Sequence, residues 1–315
     1  MPMEVMETRR DKMENIVSIT KTNGYNDIYS QIETSINMLG RLGISGRVLI
    51  KLNLCDLRAP SSGAITHPLF LDGLLGYLRK NYQGLDIVVI ESDATVSRPD
   101  IILRWFGFDK ILEKWDAKWY NLSKHPTIKR KIGGFYFDEI EISAIFDNYD
   151  YFISLPKLKT HSLTKITASL KNQFGCLPYW RKSKFHNQLD EVIADANLAM
   201  RPDLCIVDGI LSLGSGGAIY GVPLQSNLII SGTDPVSVDC VCAKIIGYNP
   251  RRIGHIKKSE KLGVGTSKYL LRGEVFRFKE LNSDFRPPFW KENVLRLGRF
   301  LKQRYTLTKY LKKSV

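Results

Sequence analysis

At 315 residues, 43% hydrophobic and 25% charged, with no low-complexity run, the chain can bury a large core and is not a disordered protein. It carries 46 Lys and Arg against 32 Asp and Glu, a net charge of +14 that favours anionic partners: phosphate-bearing metabolites, nucleic acid or a membrane surface. No apolar run approaches ~18 residues, so no membrane-spanning helix is expected, and five cysteines without a Cys-x-x-Cys pair read as reduced thiols of a cytoplasmic protein.

Residues 1–15 are a charged leader, expected to be flexible, without the apolar stretch of a secretory signal. IVSIT at 16–20 reads as a strand, and 25–42 as an amphipathic helix with Ile28, Ile32, Ile36 and Leu39 on one face. RVLIKL at 47–52 is a second strand, followed by a polar Gly/Pro/Ser loop over 55–66. His67-Pro68 opens a helix to Lys80 with proline in its first turn. DIVVI at 86–90 is a third strand that ends in Glu91-Ser92-Asp93. Residues 99–148, rich in aromatic and basic side chains, read as a helix plus short strands, an insertion or small subdomain.

YFISL at 151–155 is a buried strand running into Pro156-Lys157-Leu158-Lys159-Thr160-His161. Helices are expected over 164–173 and 187–200, and strands over 204–207 and 227–230. Asp234 is a good N-cap before Pro235 for a helix ending near Gly247, with a shorter helix over 251–262. Short β-branched runs alternating with helices make 16–272 one α/β domain: a mixed or mostly parallel sheet with helices on both faces, plus a basic helical C-terminal tail over 273–315.

In open α/β sheets, ligands collect at the carboxyl ends of the strands. Here those ends carry Lys51 and Asn53, Glu91 to Asp93, Lys157 to His161, Asp208-Gly209, and Gly232 to Asp234. One wet strand end is ordinary; five in one chain point to a convergent site. Lysines gathered in a pocket repel each other unless a carboxylate or a bound anion neutralises them. Glu91 and Asp93 are the internal candidates, and a phosphate or carboxylate ligand is the external one. The bland alternative is that these lysines fan out into solvent. Gly216 and Gly217, in Leu213-Gly214-Ser215-Gly216-Gly217, can curl backbone amides into an anion-binding nest. The run has neither dinucleotide-binding spacing nor a P-loop lysine, so it reads equally as a flexible turn. Of five histidines, His125 and His255 read as ordinary surface or core residues. His67, His161 and His186 stand beside the polar clusters and are site candidates.

Several segments in order resemble one family. They are Val48 to Asn53 (VLIKLN), Thr66-His67-Pro68, Glu91-Ser92, Leu155 to His161 (LPKLKTH), Ser169 to Gly175 (SLKNQFG), Val207-Asp208-Gly209, and Gly232 to Asp239 (GTDPVSVD). Together they are similar to the bacterial and archaeal family designated domain of unknown function 362. Many members carry a four-cysteine iron–sulfur module; this chain lacks those cysteines, so no cluster is expected. A more remote likeness is to the nickel-pincer lactate racemases. It rests on His161, nine residues, Lys171, then Gly175-x-x-Pro178 and His186. That resemblance implies His161 and His186 as metal or acid/base residues and Lys171 as the covalent anchor of a cofactor.

The tail explains half of the net charge: from Gly273 to Val315 there are 11 Lys and Arg against 4 Asp and Glu. Over 285–315, apolar residues such as Leu297, Phe300 and Leu301 recur at helical spacing among these cations. That pattern suits a helix docked on its own domain, a peripheral membrane contact, or a surface for nucleic acid or a partner protein.

Two functions stay open. The first is an enzyme acting on a small anionic substrate, a carboxylate or phosphate. Lys51, Asn53, Thr66, His67, Lys157, Lys159, Gly216 and Gly217 would bind the substrate, and His161, Lys171 and His186 would perform acid/base or covalent chemistry. Glu91, Asp208 and Asp234 would orient lysines or hold a metal; the cofactor is left open, with a divalent metal among the options. The second is a non-catalytic protein whose lysine cluster and tail form one surface for nucleic acid or an anionic membrane, with salt-sensitive affinity. A cytoplasmic location is expected, with peripheral membrane attachment as the variant.

Overall fold

A strand covered on both faces needs an unbroken apolar run, and Val48-Leu49-Ile50, Ile87 to Ile90 and Leu204 to Val207 supply it: all are buried. A computed structural model describes residues 15–94, 97–217, 221–274 and Phe285. All but the last residue of the expected leader, and most of the expected tail, lie outside these residues.

The strands β1 (Ile16–Lys21), β2 (Arg47–Lys51), β3 (Asp86–Glu91), β4 (Lys118–Asn121), β7 (Tyr151–Ser154), β10 (Leu204–Gly214), β11 (Val222–Gly232) and β12 (Leu270–Gly273) form the backbone of one sheet. Their order is β12-β1-β11-β10-β7-β2-β3-β4. From β10 to β4 every neighbour is parallel. β11 alone runs against both its neighbours. β8 (Lys157–His161) pairs with β10 and, antiparallel, with β9 (Lys165–Thr167). A separate ribbon of β5 (Thr127–Lys131) and β6 (Glu139–Ser143) completes the strands.

Helices cover both faces, as the alternation requires. Against one face pack α1 (Ile28–Asn37), α2 (Pro68–Asn81), α3 (Pro99–Trp105) and α4 (Phe108–Lys114), meeting Val48, Ile50, Val89 and Ile206. Against the other pack α5 (Ser169–Phe174), α6 (Leu189–Ala199), α7 (Pro235–Ile246) and α8 (Gly254–Lys261), meeting Leu49, Ile90, Phe152 and Val207. Each fully buried side chain of this kind contributes about 2 kcal/mol through removal from water.

The differences from expectation have local causes. The first helix starts at Ile28, because Asp27 sits in the left-handed region at φ 49°. Residues 164–168 are not helical: Lys165 to Thr167 form β9, which folds back on β8, its first residue Lys165 at φ 66°. The helix begins only at Ser169, where the buried Asp239 carboxylate accepts hydrogen bonds from the amides of Ser169 (2.7 Å) and Leu170 (3.2 Å). β10 does not stop before Asp208 but continues to Gly214 through an irregularity near Gly209. Within 99–148, β4 joins the main sheet beside β3.

Candidate functional site

The carboxyl ends of β2, β3 and β7, with β8 and the middle of β10, bring five lysines to one edge of the sheet. Four are buried: Lys51 (1% exposed), Lys157 (0%), Lys159 (3%) and Lys182 (7%). A buried ammonium without compensation costs several kcal/mol, so the partner of each one decides what the site is.

Two are neutralised within the protein. Lys51 Nζ lies 2.5 Å from Glu91 Oε1 and donates to the Leu52 carbonyl. Glu91 also accepts from the amides of Leu54 and Ser92, both at 2.9 Å. Lys157 Nζ lies 2.8 Å from Asp208 Oδ2, and neither side chain is exposed. Asp208 is saturated by the Tyr25 hydroxyl (3.0 and 3.2 Å) and the amides of His67 (3.3 Å) and Ile210 (3.2 Å). Burial pushes the Lys157 pKa down, with Asp208 opposing.

Three have no carboxylate within ion-pairing distance among the described residues. Lys159 Nζ donates to Asn53 Oδ1 (2.6 Å), the Ala64 carbonyl (2.9 Å) and Cys55 Sγ (3.4 Å). Lys182 Nζ donates to Ser92 Oγ and the Asp93 carbonyl, both at 2.8 Å. Burial pulls its pKa down to about 8, with Glu91 opposing. Lys171, half-buried on α5, has only the face of Phe174, 5.4 Å from the ring centre. Its pKa is lowered to about 8, chiefly by burial; Cys55 opposes and Lys159 adds.

His161 ends β8 among these groups. Its Nδ1 accepts from the amides of Leu163 (3.2 Å) and Thr164 (3.3 Å), so in the neutral ring the proton is on Nε2. Burial first, then the charges of Lys171, Lys159, His186 and His255, pull its pKa down to about 2. The ring is therefore neutral at ordinary pH, and it presents an N–H rather than a lone pair.

A frame of amides holds these parts in register. Asn53 donates to Asn172 Oδ1 (3.1 Å), and Asn172 donates to Ser154 Oγ (3.0 Å) and the Lys51 carbonyl (3.3 Å). Thr66 takes the Asn53 amide (2.8 Å) and gives its hydroxyl to the Leu155 carbonyl. Gly175 is required by close approach: a Cβ there would stand 2.9 Å from Lys51 Nζ.

The other expected site residues divide. His67 caps α2, its Nδ1 accepting from the Leu69 amide, and its ring stacks on Tyr25 at 3.9 Å. Burial lowers its pKa to about 4, with Asp208 opposing. Gly217 (φ 67°) abuts the Ser162 amide, placing the glycine run beside His161. His186 is exposed in the short helix Lys182–Gln188. Asp234 is not brought to this edge. β11 runs antiparallel, so its carboxyl end lies at the opposite end of the sheet, where Asp234 caps α7 through the Ser237 amide (2.8 Å) and accepts from Thr266 (3.0 Å).

As for metal, no three His, Cys, Asp or Glu side chains converge to hold an ion among the described residues. The uncompensated ammonium groups around His161 oppose a cation, and its donor nitrogen is already occupied. The residues present do not fit a protein-held divalent metal.

Sequence reasoning passed over Lys182, Tyr25 and Cys55. Lys182 lies in Trp180-Arg181-Lys182-Ser183-Lys184, a run that looks like solvated surface; nothing in its pattern marks the one lysine that turns inward. His255 is a core residue, as expected, but it stands between Asp190 (3.4 Å) and Asp239 (3.6 Å). Burial disfavours its charge, yet the two carboxylates outweigh burial and raise its pKa.

A mostly parallel sheet with helices on both faces and lysines gathered at its strand ends defines an α/β protein. The chain belongs to the domain of unknown function family 362, whose profile matches residues 48–244. A thylakoid-associated protein of Synechocystis sp. is 26% identical over 275 residues, covering 80% of this chain and 81% of the relative. Among solved structures, the lactate racemase apoprotein of Thermoanaerobacterium thermosaccharolyticum is 13% identical, with a TM-score of 0.41 over 79% of this chain. A protein from Thermotoga maritima is 12% identical, with a TM-score of 0.38 over 79% of this chain. The chain spans 57% and 61% of those two proteins, respectively. Likeness at that level says nothing about chemistry.

Proposed function

We propose that the protein is an enzyme acting on a small carboxylate or phosphate substrate held at the Lys159–Lys171–His161 pocket. The observation that carries this reading is the unequal neutralisation of the lysines: Lys51 and Lys157 have carboxylates, whereas Lys159, Lys171 and Lys182 have none among the described residues. An anionic group bound near Lys159 supplies the missing charge. Lys51 and Lys157, assigned to substrate on sequence grounds, then become scaffold, since Glu91 and Asp208 already satisfy them. His161 donates its Nε2–H to an oxygen that gains negative charge, which is electrostatic assistance rather than base catalysis.

Calorimetric titration with inorganic phosphate, pyruvate and lactate tests this reading. At least one should bind, and Lys159→Met should weaken that binding roughly tenfold or more. Binding by none of the three, or equal binding to the variant, would show the reading to be wrong.

A polyanion-binding surface is less well supported, because four of the five site lysines are buried and could not reach a nucleic-acid backbone. Among the described residues no helix is long and apolar enough to cross a membrane. The thylakoid association in the relative's name supports a peripheral membrane contact by a cytoplasmic protein, which liposome sedimentation with and without residues 286–315 would test.

A further inference from the structure

The five site lysines differ in how tightly they are held, and this inference rests on the pocket reading above. Lys51, Lys157, Lys159 and Lys182 each make at least two hydrogen bonds or ion pairs, so each is fixed in position. Lys171 Nζ has neither a hydrogen bond nor an ion pair among the described residues, only the Phe174 ring. Around it stand a fixed ammonium (Lys159), a thiol (Cys55) and a neutral imidazole (His161) that presents an N–H.

We infer that Lys171 is a nucleophile that forms a Schiff base with the carbonyl carbon of a substrate whose carboxylate or phosphate is held by Lys159, so that the substrate class is an oxo-acid or a phosphorylated carbonyl compound. A bound-anion site needs its cations fixed and charged; an amine that attacks carbon must be free to move and free of its proton. Lys171 meets the second requirement and fails the first. Its amine, with pKa about 8, is roughly a hundredfold more deprotonated near pH 8 than an ordinary lysine. The step balances without another reactant. The amine lone pair forms the C–N bond, and the carbonyl π pair moves to oxygen, where the His161 Nε2–H stabilises it. The two amine protons then leave with that oxygen as water, giving a neutral imine. Lys159 remains an ammonium throughout, paired with the substrate anion.

The test is reductive trapping of the full chain. Protein is treated with pyruvate or glyoxylate and cyanoborohydride near pH 8, then digested and mapped by mass spectrometry. Expected is preferential labelling of Lys171 over every other lysine, suppression of that labelling by Lys159→Met, and none at Lys171 with acetone, which lacks the anionic group. Because mapping is done on the wild-type chain, the result does not depend on a Lys171 variant folding. Labelling spread over surface lysines with Lys171 unmarked, while calorimetry still shows Lys159-dependent anion binding, overturns the nucleophile and leaves the pocket standing. Absence of both overturns the pocket itself.

Discussion

The Lys157–Asp208 pair and the Lys159–Lys171 pair lie on adjoining stretches of chain, yet their chemistry is opposite. Lys157 and Lys159 are two residues apart on β8, side by side in the sheet edge and equally hidden. Lys157 meets a carboxylate with all its oxygens in use; among the described residues Lys159 meets two amide-type oxygens, the Cys55 sulfur and, in Lys171, a second lysine. A buried charge with its counter-charge is part of the scaffold, whereas one without is a demand for a ligand. The difference teaches that burial by itself does not mark a functional lysine; the state of its partner does.

The most forceful way to break the comparison is to remove the carboxylate from the paired side. Asp208→Asn should cost ~3–5 kcal/mol in urea unfolding, because Lys157 is left buried and unpaired; a loss no larger than that for the half-exposed Arg58–Asp56 pair would erase the distinction. Gly175→Ala is expected to cost ~1–3 kcal/mol, since the new Cβ must displace the Lys51 ammonium. Lys171→Met should have the reverse sign, raising stability by about 1 kcal/mol while it removes trapping, as expected where a charge is kept for function at the expense of the fold.

The smallest effect concerns the core near His161. His255 has a raised folded pKa, so the stabilisation from its charge with Asp190 and Asp239 is complete below its unfolded value, ~6.5, and is lost as pH rises through the folded pKa. Thermal melts of wild type should fall relative to those of His255→Gln as pH increases from mildly acidic to alkaline; parallel curves would show that the histidine carries no charge.

Much of this was legible in the chain. Apolar runs marked β2, β3, β7 and α2 within a residue or two, because burial on both faces leaves no room for polar interruption. Lys51, Asn53, Lys159, His161 and Lys171 were read from their place after those runs, and the fold gathers them. Asp234 failed because strand direction is a property of pairing, which the local pattern around 227–234 does not encode. Lys182 failed because an inward turn of one lysine in a basic run depends on Ser92 and Asp93, ninety residues away. The strand at 165–167 failed for a similar reason: its partner is β8, and the helix that follows is started by Asp239 rather than by a neighbour.

That last contact has a consequence for synthesis. Asp239 grips the first turn of α5 across 70 positions of sequence. A chain emerging from the ribosome holds β2, β3 and β8 long before residue 239 exists, and until then the turn bearing Lys171 and Asn172 lacks its anchor. The nascent protein therefore has its lysines before the turn bearing Lys171 is anchored, and any truncation before α7 should leave that turn without the Asp239 carboxylate.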